Sequence, residues 1–179
     1  MTDQSNECVE KRDPVILHNQ IPLKSHILWA HSVDSSSWSI ESYDKIYEIN
    51  NVGRFWYIFN NLPLCDIKNN HFYLMKDGVD PIWEHVENRN GGVCSFRILL
   101  KDSMKLFEYL CILMLCDQIY EGGNMDDITG VSISPKNSWA IVKIWNKDSK
   151  HDVVNLLNKD IKSKYSSISI QYKANTPEY

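Results

Sequence analysis

The segment from Ile128 to Trp145 constrains the fold of this chain more than any other. Its two halves, ITGVSIS (128–134) and WAIVKIW (139–145), alternate with a period of two, and the turn-forming segment PKNS separates them. Such alternation places successive side chains on opposite faces of a strand, and a short turn joins strands that run antiparallel. We therefore predict a β-hairpin here and an antiparallel sheet around it.

The rest of the chain supplies further strands and three helices. Strands are predicted at 26–32, 42–50, 71–78 and 167–173, and within 88–100 after a Gly-Gly turn. Helices are predicted at 52–62, 102–120 and 147–165. Short connections favour antiparallel pairing, and the helices must cover one face of a single sheet. The predicted fold class is α+β, with seven or eight strands and three helices on one side, so the bare face is available for a ligand.

The length and the charge of the chain limit its organisation and its partners. Residues 1–20 are polar and charged, which predicts a flexible tail. Residues 21–179 are enough for a single domain with its own core. The net charge of −4 argues against a wide basic face for nucleic acid, so any nucleic acid would have to bind in a local pocket.

The cysteine pattern and the targeting signals indicate a compartment. The five cysteines form no CxxC pair and no disulfide framework. No signal peptide and no stretch able to span a membrane is recognisable. We therefore expect a cytoplasmic protein, or one shared between the cytoplasm and the nucleus.

Sequence motifs for catalysis are missing. The chain contains neither GxxxxGK[ST] nor GxGxxG, neither GxSxG nor HExxH, and its six histidines are scattered. We therefore expect no enzymatic activity, no cofactor and no metal site.

Two tryptophans in predicted loops, Trp38 and Trp83, are the main candidates for ligand binding. Either ring alone would most simply fold back onto the core. Together, with Glu84 beside one of them, they suggest a clamp in which a purine stacks between two indoles. An ionised carboxylate only accepts hydrogen bonds, and guanine offers two adjacent donors, N1–H and the N2 amino group. Methylation at N7 makes guanine cationic, which adds a cation–π attraction.

The ordered motifs of the chain resemble those of the translation initiation factor 4E family, the messenger-RNA cap-binding proteins. The matching pieces are Pro22-Leu23 to Trp29, Trp38, Val52-Gly53-Arg54-Phe55-Trp56, Asp77 to Glu84 (DGVDPIWE), Gly91-Gly92 and Ile144-Trp145. They run in order from about residue 21 to about residue 173. The resemblance implies a curved antiparallel sheet of about eight strands, backed by three helices on the convex face, with the cap on the concave face.

The resemblance also implies residue roles and partners. Trp38 and Trp83 would sandwich the 7-methylguanine base of capped mRNA, Glu84 would bind its N1 and N2 donors, and Trp145 would contact the N7-methyl group. The protein would start translation by recruiting a scaffold factor, and would be a monomer outside that complex.

A second surface concerns Trp56 on the first predicted helix. Trp56 could be a core aromatic, since Phe55 and Phe59 share the helix. The resemblance instead implies an outward Trp56 that binds a helical peptide, Tyr-x-x-x-x-Leu-Φ, of scaffold factor 4G or a repressor. Pro22, Val52 and either Ile112 or Leu113 of the second helix would complete that groove.

The match with the family is weakest where the cap phosphates would bind. Val93 and Ile141 stand where the family usually has cations, and Lys136 stands in place of an arginine. Alternation places Lys143 on the same face of its strand as Trp145, so Lys136 and Lys143 are the candidate phosphate contacts. Arg97 and Lys147 are weaker candidates.

Three functions therefore remain open at this point. The protein could be a cap-binding initiation factor that recruits a scaffold protein, or a cap-binding repressor that competes for capped RNA. It could also be an interaction module that has lost cap binding. The presence of Trp56 favours the first, and the retention of Trp38, Trp83, Glu84 and Trp145 argues against the third.

Overall fold

A single antiparallel sheet organises the protein. The computed structural model describes residues 21–62, 67–122 and 125–175, so the tail predicted for residues 1–20 lies outside the described residues. The strands are β1 (Pro22–Ser32), β2 (Asp44–Asn51), β3 (Asn70–Lys76), β4 (Gly92–Leu99), β5 (Ile128–Pro135), β6 (Trp139–Asn146) and β7 (Ile170–Ala174). They pair antiparallel in the order β2-β1-β3-β5-β6-β4-β7. The α+β prediction is confirmed, with seven strands in the described part of the chain.

The predicted hairpin is formed by β5 and β6. Ser132 opposes Lys143, and Ile133 opposes Val142. The Lys136 amide donates to the Trp139 carbonyl oxygen at 2.8 Å and closes the turn. Alternate residues of β6, Ala140, Val142 and Ile144, are fully buried in the main core.

Helices cover one face of the sheet. They are α1 (Val52–Asn61), α2 (Leu100–Leu115), α3 (Val153–Leu156) and α4 (Lys159–Lys164). Asn51 caps α1, since its side chain accepts a hydrogen bond from the Arg54 amide at 2.8 Å. The Phe59 ring of α1 lies 5.7 Å from the Phe107 ring of α2, and both rings are buried in the main core. No helix in the described ranges is both long and apolar enough to cross a membrane.

The single helix predicted over 147–165 is wrong, and the structure has two short helices there. The described residues therefore hold four α-helices where three were predicted. Leu157 has an extended backbone (φ −52°, ψ 140°) and forms an isolated bridge with Tyr120. The Asn158 amide donates to the Ile119 carbonyl oxygen at 2.8 Å. These bonds to a distant segment replace intrahelical bonds, and Asn158 then caps α4 by accepting from the Asp160 amide.

The Gly-Gly pair lets the start of β4 approach β6 closely. A Cβ atom on Gly91 would collide with the backbone carbonyl of Asn146. The Gly92 amide donates to the Asn146 side-chain oxygen at 3.0 Å. The pair is therefore needed for packing, and it fixes where β4 begins beside Trp145.

Candidate functional site

The sheet face away from the helices, here called the open face, has a small apolar cluster of its own. It consists of Trp29, Tyr43, Tyr73, Met75, Val79, Val93 and Trp145. Trp145 is only 2% exposed, its indole N–H donates to Ser132 Oγ at 2.9 Å, and Tyr73 meets it edge-on. The cluster forms the floor of the open face, and Trp145 offers only a small part of its ring to a ligand.

Trp38 stands on the loop after β1 and is 56% exposed. Its ring stacks on His31, with centroids 4.5 Å apart and planes inclined by 15°. His31 Nε2 donates to the Ser37 carbonyl oxygen at 2.8 Å, and Ser42 Oγ donates to the same oxygen at 3.0 Å. The loop is thus tied to the open face, and the indole is held with one side covered.

Trp83 and Glu84 lie on the loop between β3 and β4, and both side chains are exposed, Trp83 at 47%. Asn88 is fully buried, and its amide nitrogen donates to the carbonyl oxygens of Asp80 and Ile82 at 2.9 Å. Val79 and Ile82 pack against the open-face cluster. The loop is therefore anchored to the open face while Trp83 points outward.

Tyr43 lies near both loops. The Tyr43 ring lies 4.5 Å from the His31 ring, on which Trp38 stacks. Burial raises the pKa of Tyr43 to about 12, and the nearby Glu84 carboxylate adds to that rise. The structure thus brings Trp38 and the Trp83-Glu84 pair to the same region of the open face.

Three lysines form a positive cluster on the open face. Lys143 opposes Ser132, which contacts Trp145, so Lys143 points to the same side as that ring. Burial lowers the pKa of Lys143, and the charges of Lys136 and Lys173 lower it further. Such repulsion between like charges favours binding of an anion.

Lys173 is a candidate site residue that sequence reasoning missed. Val93, on the open face, opposes Trp145 on one side and Lys173 on the other. Residues directly opposite in antiparallel strands share a face, so Lys173 lies beside Val93 on the open face. The alternation in β7 shows that Lys173 and Tyr172 point to different faces of the strand. Only the β4–β7 pairing shows which of these is the open face.

The two weaker cation candidates have other contacts. The Arg97 guanidinium lies 4.2 Å from the centre of the Trp139 ring. Lys147 lies 4.0 Å from the Glu87 carboxylate, and its amide donates to the Asp127 carbonyl oxygen.

His71 lies under the positive cluster and was also missed. Burial lowers its pKa to about 4, and the charges of His31, Lys136 and Lys143 act in the same direction. Its ring is 5.9 Å from His31 and 5.6 Å from Trp38. A neutral imidazole therefore lies near both Trp38 and the lysines.

On the far side of the molecule, Trp56 projects from α1 and is 41% exposed. The buried Phe55 meets it edge-on at 5.1 Å. The Val52 amide donates to the Ile21 carbonyl oxygen, and Pro22 opposes Asn51, so the start of β1 borders α1. On α2, Leu113 is buried whereas Ile112 is half-buried, so Ile112 is the more accessible of the two.

The fold defines a class of protein: a small α+β protein with one antiparallel sheet, helices on one side, and an open face that bears exposed indoles, a carboxylate and lysines. The family described as Eukaryotic initiation factor 4E matches residues 22–178, and the chain belongs to this family. The family resemblance seen in the motifs is thereby confirmed.

Relatives of known identity agree with this assignment. The chain is 28% identical over 160 residues to "Eukaryotic translation initiation factor NCBP" of Triticum aestivum, covering 86% of this chain and 68% of that protein. It is 27% identical over 136 residues to "Eukaryotic translation initiation factor 4E" of Dictyostelium discoideum, covering 71% of this chain and 52% of that protein. The matched region thus spans 68% of the Triticum protein and about half of the Dictyostelium protein.

Solved structures share the fold. The Ascaris suum eIF4E-3 complex with m7G cap superposes with a TM-score of 0.73 at 22% identity, covering 89% of this chain and 93% of that chain. The C. elegans eIF4E-3 complex with the 4E-binding protein Mextli gives a TM-score of 0.71 at 21% identity, covering 87% and 93%.

Proposed function

We propose that this protein binds the 7-methylguanosine cap of mRNA on its open face and recruits a scaffold initiation factor through the surface around Trp56. One observation above all supports the cap site. Two half-exposed indoles, Trp38 and Trp83, lie in the same region of the open face with Glu84 beside one of them. Stacking of a base on an aromatic ring contributes about 1–3 kcal/mol.

In this proposal the base slips between Trp38 and Trp83. Glu84 accepts hydrogen bonds from N1–H and the N2 amino group, and the positive charge of the methylated ring strengthens both the stacking and the carboxylate contact. Trp145 lies next to the N7-methyl group. Contact with a methyl group needs only a small part of the indole ring. The floor around Trp145 is held by the Ser132 hydrogen bond, so the pocket keeps its shape without a ligand.

Lys136 and Lys143 are the proposed phosphate contacts, joined by Lys173. Burial lowers the pKa of Lys143, and the charges of Lys136 and Lys173 lower it further. A triphosphate would relieve the repulsion among the three lysines. Lys173 supplies from β7 the charge that Val93 does not supply from β4.

The partner site is proposed on the opposite side of the molecule. Pro22, Val52, Trp56 and Ile112 would receive a helical peptide of the form Tyr-x-x-x-x-Leu-Φ from a scaffold factor or a repressor. The exposed Trp56 favours an initiation factor over a competitor that binds no scaffold. The structure of C. elegans eIF4E-3 with the 4E-binding protein Mextli supports such a partner class. We place this non-enzymatic function in the cytoplasm.

Tryptophan fluorescence quenching tests the cap site. The full chain is titrated with 7-methyl-GTP and, in parallel, with unmethylated GTP. Strong quenching by the methylated nucleotide alone is the expected result, because only the cationic base gains the cation–π attraction. Equal quenching by both nucleotides, or none by either, would remove the cap-binding proposal and leave an interaction module acting through Trp56.

A further inference from the structure

We propose a second base-stacking site on the open face, formed by Trp139, Arg97 and Leu99, which takes the first transcribed nucleotide of a capped RNA. The inference rests on the proposed cap-binding function. It concerns the end of β6 and β4 that is remote from Trp145.

The three side chains share the open face with the proposed cap pocket. Ala140, Val142 and Ile144 of β6 are fully buried beneath the helices, so the residues between them point to the other side. Leu99 opposes Trp139, and Arg97 opposes Ile141. The site is therefore a continuation of the face that bears Lys143 and Trp145.

The chemistry of the three side chains suits a nucleobase. The Arg97 guanidinium lies 4.2 Å from the centre of the Trp139 ring, a cation–π pair. Single-stranded bases stack on indole rings and on guanidinium planes alike. Leu99 is 55% exposed beside this pair, an apolar surface that a stacked base would cover.

No strand covers this part of β4 in the described ranges. β7 pairs with β4 only from Gly92 to Phe96, and the register ends before Arg97. The platform is thus open at the sheet edge, where a nucleotide chain could leave the protein. The open sheet edge would leave room for the nucleotides that follow in the RNA.

The order of groups along β6 follows the chemical order of a capped RNA. In this proposal Trp145 contacts the cap base, Lys143 contacts the phosphates, and Trp139 contacts the next nucleotide. Trp139 lies four positions before Lys143 in β6, a distance of about 13 Å along a strand. A triphosphate and a ribose can bridge a gap of that size, so one ligand can use all three positions.

The test compares 7-methyl-GTP with the capped dinucleotide 7-methylguanosine-triphosphate-adenosine. Titrations use the wild type, Arg97→Gln, Trp139→Leu and a control, Arg54→Gln. Arg54 lies over the Tyr47 ring at 5.5 Å, so it is a matched arginine–aromatic pair away from the open face. Arg97 is exposed, so its substitution leaves the core intact even where Trp139→Leu disturbs the strand.

We expect Arg97→Gln and Trp139→Leu each to weaken dinucleotide binding about tenfold relative to 7-methyl-GTP, because a stacked base is lost. Arg54→Gln should change neither affinity. An unchanged ratio of the two affinities in Arg97→Gln would overturn the inference. If both affinities fell equally, Arg97 would be a phosphate contact instead of part of a stacking site. Absence of any methyl-selective binding by the wild type would instead overturn the cap-binding proposal itself.

Discussion

The indole ring of Trp38 lies nearly flat on the imidazole of His31, at 4.5 Å and 15°. His31 is buried on β1 and bonded to the Ser37 carbonyl oxygen, so the stack fixes both the loop and the ring. An exposed indole held this way loses little further freedom when a base covers its other side.

Substitution of Trp38 by leucine should weaken binding of 7-methyl-GTP by roughly ten- to a hundredfold, because one side of the base loses its stacking partner. The affinity is measured by isothermal titration calorimetry, which does not depend on the removed fluorophore. Trp56→Leu is the matched control, since it removes an exposed indole from the opposite side of the molecule. A similar loss in the control would contradict the assignment of Trp38.

Replacement of Glu84 by glutamine should reduce the affinity for 7-methyl-GTP at least about tenfold, because charge-assisted hydrogen bonds contribute about 1.5–3 kcal/mol each. The preference for the methylated over the unmethylated nucleotide should fall as well, since the carboxylate no longer faces a cationic base. Glu87→Gln in the same loop is the control, because its carboxylate faces Lys147 at 4.0 Å. The role of Glu84 is refuted if the two variants bind alike.

Lys173→Gln should weaken binding of 7-methyl-GTP roughly two- to fivefold, the scale of a partly exposed ion pair. Binding of 7-methylguanosine monophosphate should change less, and the salt dependence of triphosphate binding should become shallower. Lys105→Gln on α2 removes an exposed lysine from the helical side and serves as the control. An identical effect on the mono- and the triphosphate would exclude a phosphate role for Lys173.

Trp56→Ala should lower the affinity for a Tyr-x-x-x-x-Leu-Φ peptide by at least about tenfold, because an exposed tryptophan at an interface commonly contributes over 2 kcal/mol. Binding of 7-methyl-GTP should stay the same. Fluorescence anisotropy of a labelled peptide measures the first, and calorimetry the second. Trp83→Ala is the converse variant, and it should lose the nucleotide and keep the peptide. Loss of both ligands in either variant would indicate damage to the fold instead.

The stability of the protein should fall as the pH drops from about 6.5 towards 4, partly because of His71. Its folded-state pKa of about 4 lies below the ordinary value, so the unfolded chain takes up a proton in this window and the folded protein does not. The stabilising contribution is complete above the unfolded pKa and is lost towards the folded one. The free energy of unfolding in urea, measured at pH 7 and pH 5, should therefore fall less in His71→Gln than in the wild type. Equal pH dependence of the two proteins would show that His71 does not contribute.

The local pattern of the chain was sufficient for much of the fold. The period of two in 128–145 predicted the β5–β6 hairpin, and the helical spacing in 52–62 predicted α1, because both depend on neighbours in sequence. The motif around Trp83 and Glu84 identified the family for the same reason, since its residues are contiguous. The roles of these residues stay predictions.

Other features depended on contacts between segments far apart in the chain. The break at Leu157 arises from backbone bonds to Ile119 and Tyr120, so the apolar period of 147–165 cannot show it. Lys173 lies beside Val93 only because β7 pairs with β4, and Arg97 meets Trp139 only because β4 pairs with β6. The sequence by itself therefore determined which segments form strands and which motifs are present. The tertiary structure decided which charges and rings meet on the open face, because strand order and register depend on the packing of the whole sheet.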